Sequence, residues 1–430
     1  KGYLLLFDQV MANYSAGLQN ICKLFSIDHA GRQSYFPQVV ENKGYPPLAE
    51  IYPEDPEQVL TALLRHRDPY QDRKARILDY LLALYGETFP RNTLRNFNVY
   101  TTPHEDDETL LSAQTAFLRS VVEAGRDRGG ALDYTGDIGD LDNVSGYKRR
   151  ISLLLGFNDF LHRRLAAAIT RHGLRLDSAP ADKKLSGSAG RACPLHGEVD
   201  AEETFRSIPL TGTTGAVGTE TLLKVCRNSV HILNNTFPES LLRSGINLDN
   251  FRMAGGRDKE EVPVVFKDEE SGKWRDLAVF SDADSAVDAV NSLRRLCSRL
   301  NVESEGVHVV EHILLRPMAG PRHEGEPVPD DFYDFRMSLL FPAWTARCRD
   351  GRFREMAGNV VRMNTPAHIY PDIYWLDLEA MSIFERLLKE WLEKRRKAGT
   401  NRSQLDSAAC GLIGFLLRCG RANGPESREK

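Results

Sequence analysis

The chain has 430 residues and lacks several features that identify common functional classes. It has no run near the ~18 apolar residues that a membrane-spanning helix needs, and the longest late candidate, residues 411–417, is far too short. It also lacks a basic excess, because 56 Lys and Arg stand against 60 Asp and Glu, and a protein that binds nucleic acid needs a concentrated positive face. We therefore expect neither direct membrane insertion nor a nucleic-acid partner.

Paired cysteine motifs are also absent. The seven cysteines are odd in number and scattered, and none has the Cys-x-x-Cys spacing, so the pattern favours a reducing compartment over a disulfide framework. Residue 1 is lysine, and the residues after it lack the basic, apolar and small-residue order of a signal peptide. We expect a cytoplasmic protein whose chain begins before residue 1.

The most regular pattern in the sequence lies at its start, where apolar residues recur at alternating steps of three and four. This spacing is an a/d seam over three heptads, typical of a helix that packs along another helix. The seam consists of Leu4, Phe7, Met11, Tyr14, Leu18, Ile21 and Phe25. Two interpretations are open: the helix packs within its own domain, or its seam is a binding surface for an intermolecular helical bundle.

Helical patterns fill the first part of the chain, and alternating strands and helices follow. Among the helices we predict 108–126 and 144–171, and among the strands a hairpin of 262–266 and 273–280 with its turn at Ser271-Gly272. Residues 176–198 are rich in Ser, Ala, Gly, Pro and Lys, which bury little apolar surface. Residues 399–430 surround one short apolar island at 410–417.

These patterns predict an α+β multidomain fold, with an all-helical N-terminal region followed by small sandwich-like α+β modules. The predicted parts are a helical domain at 1–172 that opens with the heptad helix 1–26, a flexible linker or loop at 173–200, α+β modules at 201–318 and 319–398, and a mobile tail at 399–430.

One motif suggests chemistry, the run from His308 to His312, which matches the His-x-x-Glu-His zinc signature of a metallopeptidase group with Glu311 between the two histidines. That signature needs a helix, which brings both imidazoles and the carboxylate to one face. Here Gly306 precedes a valine-rich run and Arg316-Pro317 ends it, so a strand over 307–315 is favoured. A metal-dependent hydrolase stays as the alternative function, and a structural metal shared by the two histidines is also open.

Other motifs are weaker. Gly212, Gly215 and Gly218 precede a helical pattern without the spacing of a nucleotide-binding loop, and Cys193 and His196 have no second ligand pair downstream at the usual spacing. No Gly-x-Ser-x-Gly elbow occurs. We therefore predict no catalytic residues, no metal and no cofactor.

The order of certain segments carries more information than these motifs. They are KGYLLLFDQVMANYSAGLQNICKLFS at 1–26, RKARILDYLLALYGETF at 73–89, VSGYKRRISLLLGF at 144–157, EGVHVVEHILLRP at 305–317, and FRMSLLFPAWTARCRDGRFREMAGNVVRMNTPAHIYPDIYWLD at 335–377. In this order they resemble a baseplate wedge component of contractile injection systems, the phage-tail-derived particles of the antifeeding-prophage-like group. The likeness spans about 1–397 with gaps.

The resemblance implies a structural protein without catalytic residues. Wedges of this family assemble about six-fold around a central spike hub, beside a baseplate J-like partner, and hold the sheath extended until the particle contracts. The resemblance also favours the intermolecular interpretation of the heptad helix, because family wedges are joined by helical bundles. The particle is expected to be assembled in the cytoplasm and then released or attached to a membrane. A generic adaptor outside any such particle is the further alternative.

Overall fold

The protein is described here from a computed structural model. It describes residues 2–27, 33–36, 38, 56–100, 103–126, 129–140, 142–157, 162–172, 174–177, 205–207, 236–254, 262–267, 272, 274–280, 282–318, 327–397 and 401–422. The chain forms two compact units, one of Lys1–Asn96 and Thr102–Arg126 and the other of Phe97–Thr101 and Asp127–Lys430. The α+β multidomain fold with N-terminal helices and small sheets is confirmed.

Helices are the regular elements of the first unit in its described part. Its helices are α1 (Gly2–Phe25), α2 (Pro56–Arg67), α3 (Tyr70–Leu84), α4 (Arg91–Asn96) and α5 (Pro103–Arg126). Helix α3 packs against α5, and the rings of Phe89 and Phe117 meet with their centroids 5.9 Å apart. Gly86 ends α3 with a positive φ of 70°, a conformation that glycine adopts at no steric cost. The predicted helix 1–26 is therefore present as α1.

In its described part, the second unit combines helices with three small sheets. Its helices are α6 (Gly146–Leu154), α7 (Ala167–Arg171), α8 (Glu239–Ser244), α9 (Ala283–Ser304), α10 (Ala346–Arg349), α11 (Gly351–Asn364), α12 (Leu378–Arg396) and α13 (Arg402–Ala422). Its strands are β1 (Arg175–Asp177), β2 (Phe205–Ser207), β3 (Thr236–Pro238), β4 (Phe251–Ala254), β5 (Val262–Lys267), β6 (Trp274–Phe280), β7 (His308–Glu311), β8 (Arg336–Pro342) and β9 (Tyr370–Leu376). Short 3-10 turns follow α8 and β7 and precede β8.

The sheets have simple orders. Strands β1 and β3 pair in parallel, β2-β4-β5-β6 form an antiparallel sheet, and β7-β8-β9 form a mixed sheet. The predicted hairpin is the β5-β6 pair, with Gly272 at a φ of 68° between the strands. Strands β8 and β9 run parallel with α10 and α11 between them, and α11 buries Phe353, Ala357 and Val361 against their sheet. Trp375 stacks on Phe341 in the same cluster, with a centroid distance of 4.7 Å.

One large hydrophobic core joins regions that the sequence predicted to be separate. The core includes Leu277 and Val290 from the predicted module 201–318 together with Leu340 and Phe384 from the predicted module 319–398. Residues 127–172 belong to this second unit instead of the helical domain predicted at 1–172, because Leu165 and Ile169 are buried in the same core.

Two predicted elements are wrong in extent. The helix predicted over 144–171 is interrupted, because Gly156 adopts a φ of 66° and Phe157 N–H donates to the Ser152 carbonyl at 2.9 Å, which ends α6. The strand predicted over 307–315 ends at Glu311, where a 3-10 turn begins.

The mobile tail predicted at 399–430 is wrong for residues 402–422, which form α13. This helix packs along α12 and buries Leu412 and Ile413 completely in the large core. The apolar island at 410–417 is therefore core and not a loose docking segment. Most of the predicted linker 173–200 lies outside the described residues, apart from β1.

Candidate interaction surface

The predicted seam of α1 lies on the surface of the first unit. All seven seam residues, Leu4, Phe7, Met11, Tyr14, Leu18, Ile21 and Phe25, are between 42% and 63% exposed. Tyr3, Leu6 and Val10 widen the apolar face and are exposed as well. The contiguous apolar surface that results is the feature that typically marks a protein interaction site. Burying the seven seam side chains would contribute on the order of 10 kcal/mol before the cost of association.

The opposite side of α1 attaches the helix to its own unit. Ala16 is buried on this side, and the half-buried Asn20 side-chain amide donates within the helix to the Ala16 carbonyl at 2.8 Å. At the end of the helix the buried Lys74 ammonium of α3 donates to the carbonyls of Leu24 and Ser26 at 2.6 and 2.7 Å. A cation there satisfies carbonyls that a helix leaves without partners. The small and polar face therefore points inward and the large apolar face outward.

A cleft of about 430 Å³ runs beside the seam. One wall is formed by α1 and the other by residues 34–36, Leu64 of α2 and Arg73 of α3. The lining residues are Asn13, Tyr14, Gly17, Leu18, Ile21, Ser34, Tyr35, Phe36, Leu64 and Arg73. The Arg73 guanidinium stacks over the Tyr35 ring at 3.9 Å and donates to Ser34 Oγ at 3.4 Å, which fixes that wall.

Gly17 is the unusual member of this lining. A glycine inside a helix costs about 1 kcal/mol relative to alanine, and a Cβ atom built at Gly17 meets nothing within 4 Å among the described residues. Packing among the described residues therefore gives no reason for a glycine at this position.

The His308 to His312 run has the geometry of a strand end. His308 lies in β7, is buried, and its Nε2 atom is 3.0 Å from Glu385 Oε1 of α12. The same carboxylate oxygen accepts the backbone N–H groups of Leu165 and Ala166. Burial lowers the pKa of His308, and the hydrogen bond to Glu385 opposes that shift. His308 is thus a buried partner of Glu385 that links α12 to the segment before α7.

His312 has a different set of partners. It lies in the 3-10 turn after β7, where its Nδ1 atom donates to the Phe332 carbonyl at 2.8 Å and its Nε2 atom is 2.7 Å from Ser338 Oγ. Because a carbonyl only accepts, the proton is on Nδ1 and the Ser338 hydroxyl donates to Nε2. The ring also stacks on Phe332, and burial lowers the pKa of His312.

Glu311 does not converge with the two histidines. Its side chain is half-buried and lines another cleft, where burial raises the pKa of the carboxyl and the Arg395 guanidinium opposes the shift. Within the part of the chain that the structure describes, no three His, Cys, Asp or Glu side chains are grouped to hold a metal ion. This strand geometry differs from the helical arrangement that the zinc signature requires.

The cleft lined by Glu311 has a volume of about 610 Å³ and lies at one end of the β7-β8-β9 sheet. Its rim carries exposed Met363 and Phe335, the latter with a φ of 52° that is unusual for a bulky residue. Its polar groups are engaged with each other: Tyr147 Oη lies 2.7 Å from Thr365 Oγ1, and Arg150 Nε donates to Asn364 Oδ1 at 2.7 Å. These hydrogen bonds hold the walls of the cleft in place. Among the lining residues, no nucleophilic side chain is paired with a base.

The sequence patterns located the seam but missed the opposite wall of its cleft. Phe36, Leu64 and Arg73 come from three separate places in the chain, and no periodic signal connects them to α1. Gly17, a glycine inside a strong heptad pattern, is the one sequence signal that could have pointed to this cleft. The residues at 193, 196, 212, 215 and 218, which the sequence suggested as weak ligand sites, lie outside the described residues.

No helix in the described ranges is long and apolar enough to cross a bilayer. Comparison with protein-family models and with curated proteins finds no match for this chain.

Proposed function

We propose that the chain is a structural, non-enzymatic wedge subunit of the baseplate of a contractile, phage-tail-like injection particle. The observation that carries this proposal is the outward-facing heptad seam of α1. A helix that packs only within its own domain turns its large apolar residues inward, whereas α1 turns them to solvent, buries the small Ala16 and is held to α3 by the Lys74 ammonium. The sequence segments that resemble, in their order along the chain, a baseplate wedge component are what suggests this kind of assembly.

In this proposal the seam binds helices of neighbouring baseplate proteins, among them a baseplate J-like partner. The second unit, with its single large core, serves as a rigid body that faces the spike hub and sheath. Six such wedges surround the hub, and the interfaces rearrange when the sheath contracts. The particle is assembled in the cytoplasm and is then released or attached to a membrane. No catalytic residue, metal or cofactor takes part.

The test introduces a charge into the seam. Phe7→Asp and Tyr14→Asp each place a carboxylate where a bundle would be dry, and an uncompensated buried charge costs about 3–5 kcal/mol. We expect each variant to reduce the yield of sheathed particles at least about 100-fold, counted by negative-stain microscopy. Both variants should fold, because the two side chains are already exposed in the isolated chain.

The matched controls are Ser15→Asp and Gln19→Glu, which add the same charge to α1 at exposed positions outside the seam. We expect them to assemble normally. Normal assembly of the seam variants as well would refute the bundle and with it the proposed wedge role of α1.

A further inference from the structure

Four residues that line the cleft beside α1 have the spacing of a coiled-coil hole, which we call the socket. Tyr14, Gly17, Leu18 and Ile21 are spaced i, i+3, i+4 and i+7, which is the set of four residues that forms a hole for a knob from a facing helix in a coiled coil. A side chain at position 17 would fill this hole, and the glycine leaves it open.

The hole is deeper than one helix alone could make it. Phe36 and Leu64 continue its apolar lining away from α1, and the cleft reaches about 430 Å³. A leucine or valine knob would leave part of this space empty, and unfilled apolar space forfeits contacts. A large aromatic side chain fits the depth and the flat walls of Tyr14 and Phe36 better.

The charges at the rim indicate what flanks that aromatic residue. The Arg73 guanidinium lines the cleft, and the Lys23 ammonium lies 5.8 Å from the centre of the Phe36 ring. The nearby Asp68 carboxylate accepts from the backbone N–H groups of Ser34 and Tyr35 at 2.6 and 3.1 Å. The Asp68 carboxylate offsets one of these two cations, so the described rim residues keep a net positive charge that is complementary to an acidic residue on a partner.

We propose that the cleft at Gly17 receives an aromatic side chain from a helix of another subunit, flanked within one turn by Asp or Glu. This inference rests on the proposed function, because it takes the seam as a helix-bundle interface, and it adds the position and chemistry of the main anchor. Helices that lay an apolar stripe into a groove commonly bind through a few such anchors.

The first test fills the socket. Gly17→Leu places a side chain in the hole, and we expect at least a tenfold loss of sheathed particles. Gly17→Ala is the variant that cannot fail through misfolding, since alanine favours the helix and its Cβ meets no described atom. It should keep or raise the melting temperature of the isolated chain and still reduce particle yield several-fold. Gly125→Leu, at a glycine of α5 that is equally open, is the control and should assemble normally.

The second test identifies the occupant. The photo-crosslinking amino acid benzoylphenylalanine is placed at Phe36 in particles assembled in cells, and the cross-linked peptide is sequenced by mass spectrometry. We expect a heptad-patterned segment of another particle protein with an aromatic residue at the cross-link and an acidic residue within one turn. A cross-link to a second copy of this chain, to the chain's own residues, or to a segment without an aromatic residue would overturn the inference.

The two proposals can fail separately. Normal assembly of Gly17→Ala and Gly17→Leu, with loss of assembly in Phe7→Asp and Tyr14→Asp, refutes the socket and leaves the bundle intact. Normal assembly of all four variants refutes the bundle itself.

Discussion

At the scale of single residues, three histidines that are buried or half-buried make the stability of the second unit depend on pH. Burial lowers the pKa of His162 to about 2, and the Lys148 ammonium, 3.4 Å from its Nδ1 atom, and His308 act in the same direction. His308 and His312 shift the same way. All three histidines are therefore favoured in their neutral form when the protein is folded.

The sign of the pH dependence follows from this shift. Below pH 6.5, the ordinary pKa of histidine, the unfolded chain binds a proton at position 162 that the folded chain does not bind, so stability is lost as the pH falls. For His162 alone the free energy of unfolding should drop by about 1 kcal/mol between pH 6.5 and 5.5 and by about 1.4 kcal/mol per pH unit below that.

This prediction is checked by urea unfolding followed through tryptophan fluorescence. All four tryptophans, at 274, 344, 375 and 391, lie in the second unit, so the signal reports that unit alone. His162→Gln should flatten the pH slope by the amount given above, and the exposed Gln404→Ala, which removes no titratable group, should keep the wild-type slope. Equal slopes in wild type and His162→Gln would contradict the account.

The buried pair of His308 and Glu385 also shows which contacts could not be predicted from the sequence. The valine-rich run after Gly306 predicted a strand, and His308 lies buried in β7. The partner of His308, Glu385, lies 77 residues away in α12, where its neighbours Phe384 and Leu388 are core residues. No local pattern marks a glutamate as buried, because its burial depends on hydrogen bonds from a different part of the chain.

At the scale of elements, α13 shows how packing overrides composition. The segment contains Gly411, Gly414 and Gly420, and its Ser, Asn and Arg content predicted a mobile tail. In the structure Gly411 lets α13 approach α12, since a Cβ there would come within 3.3 Å of Leu387. A glycine that weakens an isolated helix thus permits a close helix contact, which a sequence pattern alone cannot distinguish from a flexible position.

The packing of α13 leads to a prediction about stability. Leu412 is completely buried in the large core, so Leu412→Ala should lower the free energy of unfolding of the second unit by about 2–5 kcal/mol. Gln404→Ala, at an exposed position of the same helix, should change it by less than about 0.5 kcal/mol. Urea unfolding with tryptophan fluorescence measures both. Equal values for the two variants would mean that α13 does not belong to the core.

For α1, the sequence predicts the helix but not which of its faces is exposed. Its length and its seam could be predicted because the 3.5-residue repeat is local information. Which face turns outward could not, because the inward face is fixed by the Lys74 ammonium from α3, about 50 positions away in the chain. The apolar content of α1 is compatible with either orientation, and only the tertiary contacts select one.

At the scale of the whole molecule, the chain combines an α+β unit that has a large hydrophobic core with a helical unit that exposes an apolar surface. The fold class could be predicted from alternating helix and strand patterns, but the large core that joins the two predicted modules could not, because strands far apart in sequence share it. An exposed apolar surface of this kind typically marks a protein interaction site.

The most direct test of the central claim is to locate the chain on native particles. Sheared lysate is examined by negative-stain microscopy, with the chain marked by a gold-labelled tag. The account predicts that the label lies at the end plate of sheathed tubes, and that Phe7→Asp reduces the yield of these labelled tubes at least about 100-fold. A chain that is absent from any sheathed particle, and that purifies as a monomer with zinc that is lost in His308→Ala, would contradict the account and favour the hydrolase alternative.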